Sequence, residues 1–231
     1  MAGPSLADRV RETPVTMGLA LVCVAVTLVS LRSPETRIGL IERFAADIST
    51  VYLSGQVWRL VSTTLLHVDL VHLIFNALSL VYLGEILERR FGGVRVVALS
   101  VLLALCSSAA QLAGLSFGIG FSGVLYGWLG VIMVGRKHEP ALAEALPERV
   151  VEFALFWLLF CVVLSFTGQL PIGNLAHFGG LAVGWLVGRV VWEAEVARRR
   201  LFLVLTIGLS LMILVSPPLV VMAMGVLGVG Q

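Results

Sequence analysis

Long apolar runs separated by short polar segments dominate the chain. The runs lie from Val15 to Leu31 and near residues 66–87, 95–115, 122–135, 150–168, 174–192 and 200–227. About 20 apolar residues in a helix, at ~1.5 Å rise each, cross the ~30 Å hydrocarbon core of a bilayer. The pattern therefore predicts an all-α polytopic membrane protein, with a compact bundle of six helices and one appended C-terminal transmembrane helix.

Three segments follow from this pattern. Residues 1–14 are polar and are predicted to be a cytoplasmic segment, residues 15–192 hold the six-helix core, and residues 193–231 form a linker and the seventh helix. Pro217–Pro218 predicts that the seventh helix is kinked or ends early, because proline lacks the N–H that a helix interior needs. Basic residues precede the first run, as in a secretory signal peptide. No small-x-small cleavage site follows it, so we expect this helix to be retained.

Composition agrees with a membrane protein and narrows the possible partners. The chain is 58% hydrophobic and only 13% charged, and its apolar residues come in runs that exclude charge rather than in the scattered pattern of soluble domains. A net charge of +2 gives no indication of a nucleic-acid partner. The three cysteines stand singly in apolar runs, and we expect small buried side chains rather than disulfide or metal ligands.

The positions of Lys and Arg predict an orientation. Twelve of the sixteen fall on the same side of the predicted bundle as the N-terminus, which leaves four on the opposite side: Arg32, Arg37, Arg43 and Arg59. Cytoplasmic segments carry the excess of basic residues, so the N-terminus is predicted to be cytoplasmic. The segment 32–64 is then external. It is charged, interrupted and without a clear helix, and loops of this kind are often functional.

Polar residues gather at the external ends of three predicted spans. These groups are His67, His72 and Asn76 on the second span, Gly120–Phe121–Ser122–Gly123 on the fourth, and Asn174 and His177 on the sixth. Ionisable groups at membrane depth are costly and usually face a bundle interior or a water cavity. Because all three groups lie on one side of the bilayer, we expect them to meet in one pocket.

The fourth span is too short to cross the bilayer if Ser122 lies at the surface. Fourteen residues separate Ser122 from Arg136, and at ~1.5 Å each they cover roughly 21 Å. Ser122 is therefore predicted about 10 Å below the external surface, with Gly114 to Phe121 as submerged non-helical backbone that lines a wet cavity. A helix N-terminus favours developing negative charge, which suits the oxyanion of acyl transfer. The alternative is that Ser122 is only a helix N-cap.

His177 is the predicted base for Ser122. A serine hydroxyl is a weak nucleophile until an adjacent base takes its proton, and histidine has a suitable pKa near neutrality. Small residues at intervals of four allow close approach of the two helices: Gly123 and Gly127 on the fourth span, and Gly180, Gly184 and Gly188 on the sixth. The alternative for His177 is a satisfied core histidine without a chemical role.

No carboxylate is placed to complete a triad, so the sequence predicts a Ser–His dyad. His72 and Asn76 share one helix face at i and i+4, and with the Ser122 N–H they could form an oxyanion hole. His67 is rotated away and predicted nearer the surface, where it caps or orients this end of the helix. A metal site is disfavoured, because the two histidines are spaced i and i+5 and no HExxH motif is present.

Together these residues resemble the rhomboid family of intramembrane serine proteases. The matching motifs are Trp58–Arg59, His67-x4-His72-x3-Asn76, Tyr82–Leu83–Gly84, Glu88–Arg89–Arg90–Phe91–Gly92, Gly120–Phe121–Ser122–Gly123 with Tyr126, and Asn174-x2-His177-x2-Gly180-x3-Gly184. Each motif is weak alone, but the ordered set over about residues 58–190 is specific, and no catalytic position departs from it.

The resemblance implies a multi-pass protein of the plasma or inner membrane that cleaves transmembrane proteins without a cofactor, at a site that opens to the external or periplasmic side. It implies that Ser122 is the nucleophile and His177 the general base, that Tyr126 stacks on His177, and that Glu88 and Arg59 are structural. From the residues alone, Arg59 beside Trp58 is either an interfacial anchor or a residue that folds the loop. The resemblance also leaves a proteolytically silent member, which binds membrane proteins for quality control, as the alternative function.

Overall fold

The computed structural model describes residues 5–227, and within this range the regular elements are helices, which confirms the all-α prediction. The α-helices are α1 (Leu6–Glu12), α2 (Pro14–Ser30), α3 (Pro34–Phe44), α4 (Arg59–Ser62), α5 (Leu70–Phe91), α6 (Gly93–Ala113), α7 (Ser122–Gly135), α8 (Pro140–Ala145), α9 (Glu148–Phe166), α10 (Asn174–Trp192) and α11 (Val196–Leu227). A π-helical turn, Ser49–Leu53, and a 3-10 turn, Thr63–Leu65, lie between α3 and α5.

Each predicted apolar run is a helix, although only some of these helices are full spans by length. Five helices are long and apolar enough to cross a bilayer: α5, α6, α9, α10 and α11. The pair α1 and α2 adds a sixth if it is taken as one span bent by 112°. The shorter apolar helix α7 has 14 residues, as the distance from Ser122 to the basic pair Arg136–Lys137 predicts.

The second span begins later and ends later than its predicted range 66–87. The Asp69 carboxylate accepts a hydrogen bond from the His72 backbone N–H at 2.8 Å, so Asp69 caps α5 and the helix starts at Leu70. The helix continues to Phe91 and stops where Gly92 adopts a φ of 82°, a conformation that glycine tolerates best. The length of the span follows from these two caps.

The segment 32–64 contains helices, so the expectation of a loop without a clear helix was wrong. The Ser33 hydroxyl accepts from the Thr36 N–H at 3.1 Å, and Pro34 occupies the first helical position of α3. This Ser–Pro pair is a helix-start signal that the charge pattern obscured. Of the two outcomes predicted for the seventh helix, a kink or an early end, the early end was wrong, because α11 continues through Pro217 and Pro218 to Leu227.

Helix α7 lies at the centre of the bundle. Its Trp128, Val124 and Ile132 side chains are fully buried. Helix α10 packs along one side of α7, and α5 and α6 also contact it. Trp128 also meets the Phe121 ring, with 5.5 Å between centroids. Helix α7 is therefore enclosed by protein over nearly its whole length, although its 14 residues are too few to span a bilayer by themselves.

Ion pairs tie the helices together at the end of the bundle opposite Ser122. They join Arg9 to Glu85, Arg89 to Glu12, Arg90 to Glu139 and Arg136 to Glu148. Trp192 at the end of α10 donates to Glu139 at 2.7 Å. Four of the twelve basic residues assigned to one side by their sequence positions therefore take part in these ion pairs at this end.

The buried carboxylate of Glu88 holds α2 against α5. It accepts hydrogen bonds from the Val15 and Thr16 backbone N–H groups at 2.9 and 2.7 Å, and from the Thr16 hydroxyl at 2.7 Å. The first N–H groups of a helix lack intrahelical acceptors, and a carboxylate there is also favoured by the helix dipole. Glu88 thus links the start of α2 to α5 through three hydrogen bonds.

Candidate active site

Ser122 and His177 meet between two helix N-termini. Ser122 is the first residue of α7 and His177 lies in the first turn of α10. Ser122 Oγ is 2.7 Å from His177 Nε2, which is hydrogen-bonding distance. His177 is only 6% exposed, whereas Ser122 is half-buried. The Ser122 side chain is therefore more accessible than the His177 ring.

Close backbone contact between α7 and α10 places this pair. A Cβ atom at Gly180 would collide with the Gly123 carbonyl oxygen, and a Cβ atom at Gly184 would collide with that of Gly127. Glycine at 180 and 184 thus lets the two helices approach until side chains in their first turns touch. Gly180 and Gly184 therefore contact the backbone of Gly123 and Gly127. The missing side chains of Gly123 and Gly127, in contrast, leave room mainly for Ser107 and Leu103 of α6.

The histidine ring is held by an aromatic neighbour rather than by a carboxylate. The Tyr126 and His177 ring centroids lie 4.8 Å apart with an interplanar angle of 39°. The Tyr126 hydroxyl donates to the Ala154 carbonyl of α9 at 3.3 Å. Among residues 5–227, His177 Nδ1 has no hydrogen-bond partner. Within the described residues the hydrogen bonds of the His177 ring therefore reach Ser122 alone.

His72 lies directly against the backbone that leads into Ser122. Gly120 adopts a φ of 116°, and a Cβ atom there would lie 2.6 Å from His72 Cε1 and 2.7 Å from Nε2. Asn76, one turn further along α5, is buried and donates from Nδ2 to the His72 carbonyl at 2.9 Å. A carboxamide nitrogen carries two N–H groups, so one remains to donate elsewhere.

His67 does not cap α5, which was one of the two roles expected of it. It is 3% exposed and lies before the helix begins, and Asp69 provides the cap. Its ring meets His72 edge-on with 5.0 Å between centroids, and its Nδ1 lies 3.4 Å from Thr27 Oγ1 of α2. The 3-10 turn at 63–65 directs the chain inward, which a helical extrapolation from His72 could not anticipate.

Two polar residues that sequence reasoning missed fix the non-helical stretch before Ser122. Thr63 Oγ1 donates to the Gly118 carbonyl at 2.7 Å, and the Thr63 carbonyl accepts from the Gly120 N–H at 3.2 Å. Gln111 accepts from the Ala176 N–H at 3.2 Å and donates to Ser116 Oγ at 2.7 Å. Gln111 is a lone glutamine within the third apolar run, and a polar amide at such a position was the sequence signal that could have identified it.

Asn174 and Arg59 act on the surroundings of the site. Asn174 Nδ2 donates to Ser165 Oγ at 2.8 Å and so joins the start of α10 to the end of α9. Arg59 is 8% exposed and donates from Nη1 to the Glu42 and Ala45 carbonyls at 2.7 and 2.9 Å. Trp58 covers its guanidinium at 5.3 Å. This burial favours the loop-folding role of Arg59 over an interfacial anchor.

Comparison with known proteins gives a consistent result. The family model for the Rhomboid domain matches residues 54–194. The Rhomboid protease GlpG of Yersinia pestis (strain Pestoides F) is 30% identical over 195 residues, which cover 83% of this chain and 66% of that protein. The Rhomboid protease GlpG of Yersinia enterocolitica serotype O:8 is 30% identical over 191 residues, which cover 81% and 65%. The chain thus spans about two thirds of the length of these curated relatives.

Proposed function

Since the chain belongs to the rhomboid family of membrane proteins, we propose that it is an intramembrane serine endopeptidase that cleaves transmembrane proteins. The observation that carries this proposal is the 2.7 Å contact between Ser122 Oγ and His177 Nε2 at the submerged start of α7. A buried histidine with a purely structural role would not require a serine hydroxyl beside it at a helix N-terminus.

The proposed reaction is acyl transfer through a dyad. His177, with its ring proton on Nδ1, takes the Ser122 proton at Nε2 as the hydroxyl oxygen attacks the scissile carbonyl. His177 then gives that proton to the departing amine as the C–N bond breaks. Water from the external side hydrolyses the acyl-enzyme, and the half-buried position of Ser122 supports such access. Tyr126 keeps the ring in place during both transfers.

The oxyanion is proposed to lie between α5 and the first turn of α7. Its donors are the Ser122 N–H, which has no acceptor in the helix, and the side chains of His72 and Asn76. The contact of His72 with Gly120 supports this assignment, because it brings the imidazole to the turn that carries Ser122. The positive end of the α7 dipole adds to the stabilisation of the developing charge.

Substrates are proposed to enter between α5 and α9. Helix α9 is the least buried of the spans, and aromatic side chains join it to α5. Phe75 and Trp157 stack with 5.8 Å between centroids, and both remain substantially exposed. A contact made of two side chains opens at lower cost than a packed backbone interface. A partly unwound transmembrane segment would then reach Ser122 from the lipid.

The proposed setting is a plasma or inner membrane with the N-terminus in the cytoplasm. The ion-paired end of the bundle, with most of the basic residues, would face the cytoplasm. The site at the other end would open to the external or periplasmic side. In this arrangement residues 1–14 form the cytoplasmic segment, residues 15–192 the catalytic core, and residues 193–231 the linker and seventh helix.

Cleavage of a reconstituted substrate tests this function. The purified full chain is placed in vesicles with a tagged protein that has one transmembrane segment, and the products are followed over time. We expect cleavage by the unaltered protein and none by Ser122→Ala. Ser100→Ala is the matched control, because Ser100 is a buried serine that bonds only the Val96 carbonyl of its own helix. Substrate capture without cleavage would instead support the silent binding factor.

A further inference from the structure

Two prolines leave two carbonyl groups of α11 without their usual partners. In an α-helix each carbonyl accepts from the N–H four residues later, and Pro217 and Pro218 have no N–H to give to Ile213 and Leu214. Ser216 Oγ donates to the Ile213 carbonyl at 2.8 Å, within the same helix. The Leu214 carbonyl accepts instead from the Tyr52 hydroxyl at 2.8 Å, across 162 positions of sequence.

Tyr52 stands on a braced turn of the first external segment. The Asp47 carboxylate accepts from the Ser49 and Thr50 hydroxyls, both at 2.6 Å, and from the Thr50 N–H at 3.0 Å. The Thr50 carbonyl accepts from the Gln56 N–H at 2.9 Å. Burial raises the pKa of Tyr52 to about 12, so the hydroxyl keeps its proton and remains a donor. Hydrogen bonds from Asp47 and from the Thr50 carbonyl thus hold the turn that carries Tyr52.

Hydrogen bonds continue from this turn to the backbone before Ser122. Gln56 accepts from Arg59 Nε at 2.7 Å, and Arg59 opens α4, which leads into Thr63. Thr63 bonds both Gly118 and Gly120, the residues that set the entry into α7. Leu214 is therefore connected to the backbone before Ser122 through hydrogen bonds and short hydrogen-bonded segments of the chain.

We propose that Tyr52 and Pro218 form a latch by which the seventh helix positions the first external segment, and through it the turn that carries Ser122. Pro218 frees the Leu214 carbonyl and Tyr52 occupies it. Tyr52 is then a positioning residue for peptide cleavage, and in this respect the inference rests on the proposed function. This proposal assigns a function to α11, which lies outside the six-helix core that contains both Ser122 and His177.

The test is a double-mutant cycle on the purified full chain, read by thermal unfolding and by cleavage of a tagged transmembrane substrate. Tyr52→Phe should lower the unfolding midpoint by about 2–4 °C and kcat by roughly two- to tenfold, with KM unchanged. In the Pro218→Ala background the new N–H already serves Leu214, so the same Tyr52→Phe change should have a much smaller effect on both quantities.

Pro217→Ala is the matched control. The carbonyl that Pro217 leaves free is that of Ile213, and it already accepts from the Ser216 hydroxyl. In that background Tyr52→Phe should cost as much as it does in the unaltered protein. Equal effects of Tyr52→Phe in the Pro217→Ala and Pro218→Ala backgrounds would overturn the pairing of Tyr52 with Pro218. A lowered midpoint with unchanged kcat would overturn the positioning role. If the unaltered protein fails to cleave, the proposed function and the positioning role fail together, and the midpoints alone still decide the contact.

Discussion

Gly184 of α10 lies so close to Gly127 of α7 that a single added methyl group would strike the Gly127 carbonyl. The next contact toward the site has the same form, with Gly180 against Gly123. These contacts set the separation of the two helices, and Ser122 and His177 lie at their N-terminal ends. The 2.7 Å contact between Ser122 and His177 is thus fixed by the backbone packing of the two helices.

Gly184→Ala should therefore weaken both folding and cleavage. The methyl group forces α10 away from α7, and overpacking of this kind costs about 1–3 kcal/mol. Thermal unfolding and substrate cleavage measure the two effects. Gly18→Ala is the matched control, because Gly18 is also helical and a Cβ atom there meets nothing within 4 Å. Equal behaviour of the two variants would contradict the role of the glycine contact.

Gly120→Ala should abolish most cleavage while the protein stays folded. A Cβ atom there would push against His72, and the φ of 116° is unfavourable for alanine. A displacement of about 1 Å at a reacting group lowers the rate on the order of a hundredfold. Gly168→Ala also places alanine at a positive φ, 71°, but with open space around it, so its activity should stay near that of the unaltered protein.

Arg59→Lys should destabilise the protein although it keeps the charge. Arginine reaches the Glu42 and Ala45 carbonyls and Gln56 at once, and a lysine ammonium does not reproduce that fork. We expect a loss of about 1–3 kcal/mol in the free energy of unfolding, seen as a lower thermal midpoint. Arg32→Lys, at an exposed position, is the control. An unchanged midpoint for Arg59→Lys would return Arg59 to the role of an interfacial anchor.

Glu88→Gln should loosen α2 from the bundle. The neutral amide has one acceptor oxygen, whereas the carboxylate oxygens of Glu88 accept three bonds from Val15 and Thr16. The expected loss is about 1–3 kcal/mol of unfolding free energy, and faster hydrogen exchange at the start of α2 should accompany it. Glu152→Gln, at an exposed position of α9, should change neither measurement.

The sequence was sufficient for the long apolar helices, and it led to the expectation that Ser122 and His177 lie together, because both inferences rest on strong, local costs. Apolar runs must cross lipid, and polar groups such as Ser122 and His177 at depth need a common cavity. Tertiary contacts were out of reach of this reasoning. Nothing local predicts that His67 turns inward on Thr27, or that Thr63 and Gln111 hold the backbone before Ser122.

The partner of Pro218 illustrates the same limit. The diproline was correctly seen as a break in the hydrogen bonds of α11, yet the helix persists to Leu227. Its freed carbonyls find Ser216 and Tyr52 instead. Proline removes a backbone donor from the helix, and whether the Tyr52 hydroxyl replaces that donor depends on how the segment 32–64 packs.

Covalent labelling tests the central claim most directly. The purified protein is treated with a tagged fluorophosphonate, and the labelled residue is identified by mass spectrometry after digestion. We expect one modified site at Ser122 in the unaltered protein and in Ser100→Ala, no labelling in Ser122→Ala, and strongly reduced labelling in His177→Ala, which lacks the base. Equal labelling of all four proteins, or modification of a different serine, would contradict a nucleophile activated by the histidine beside it.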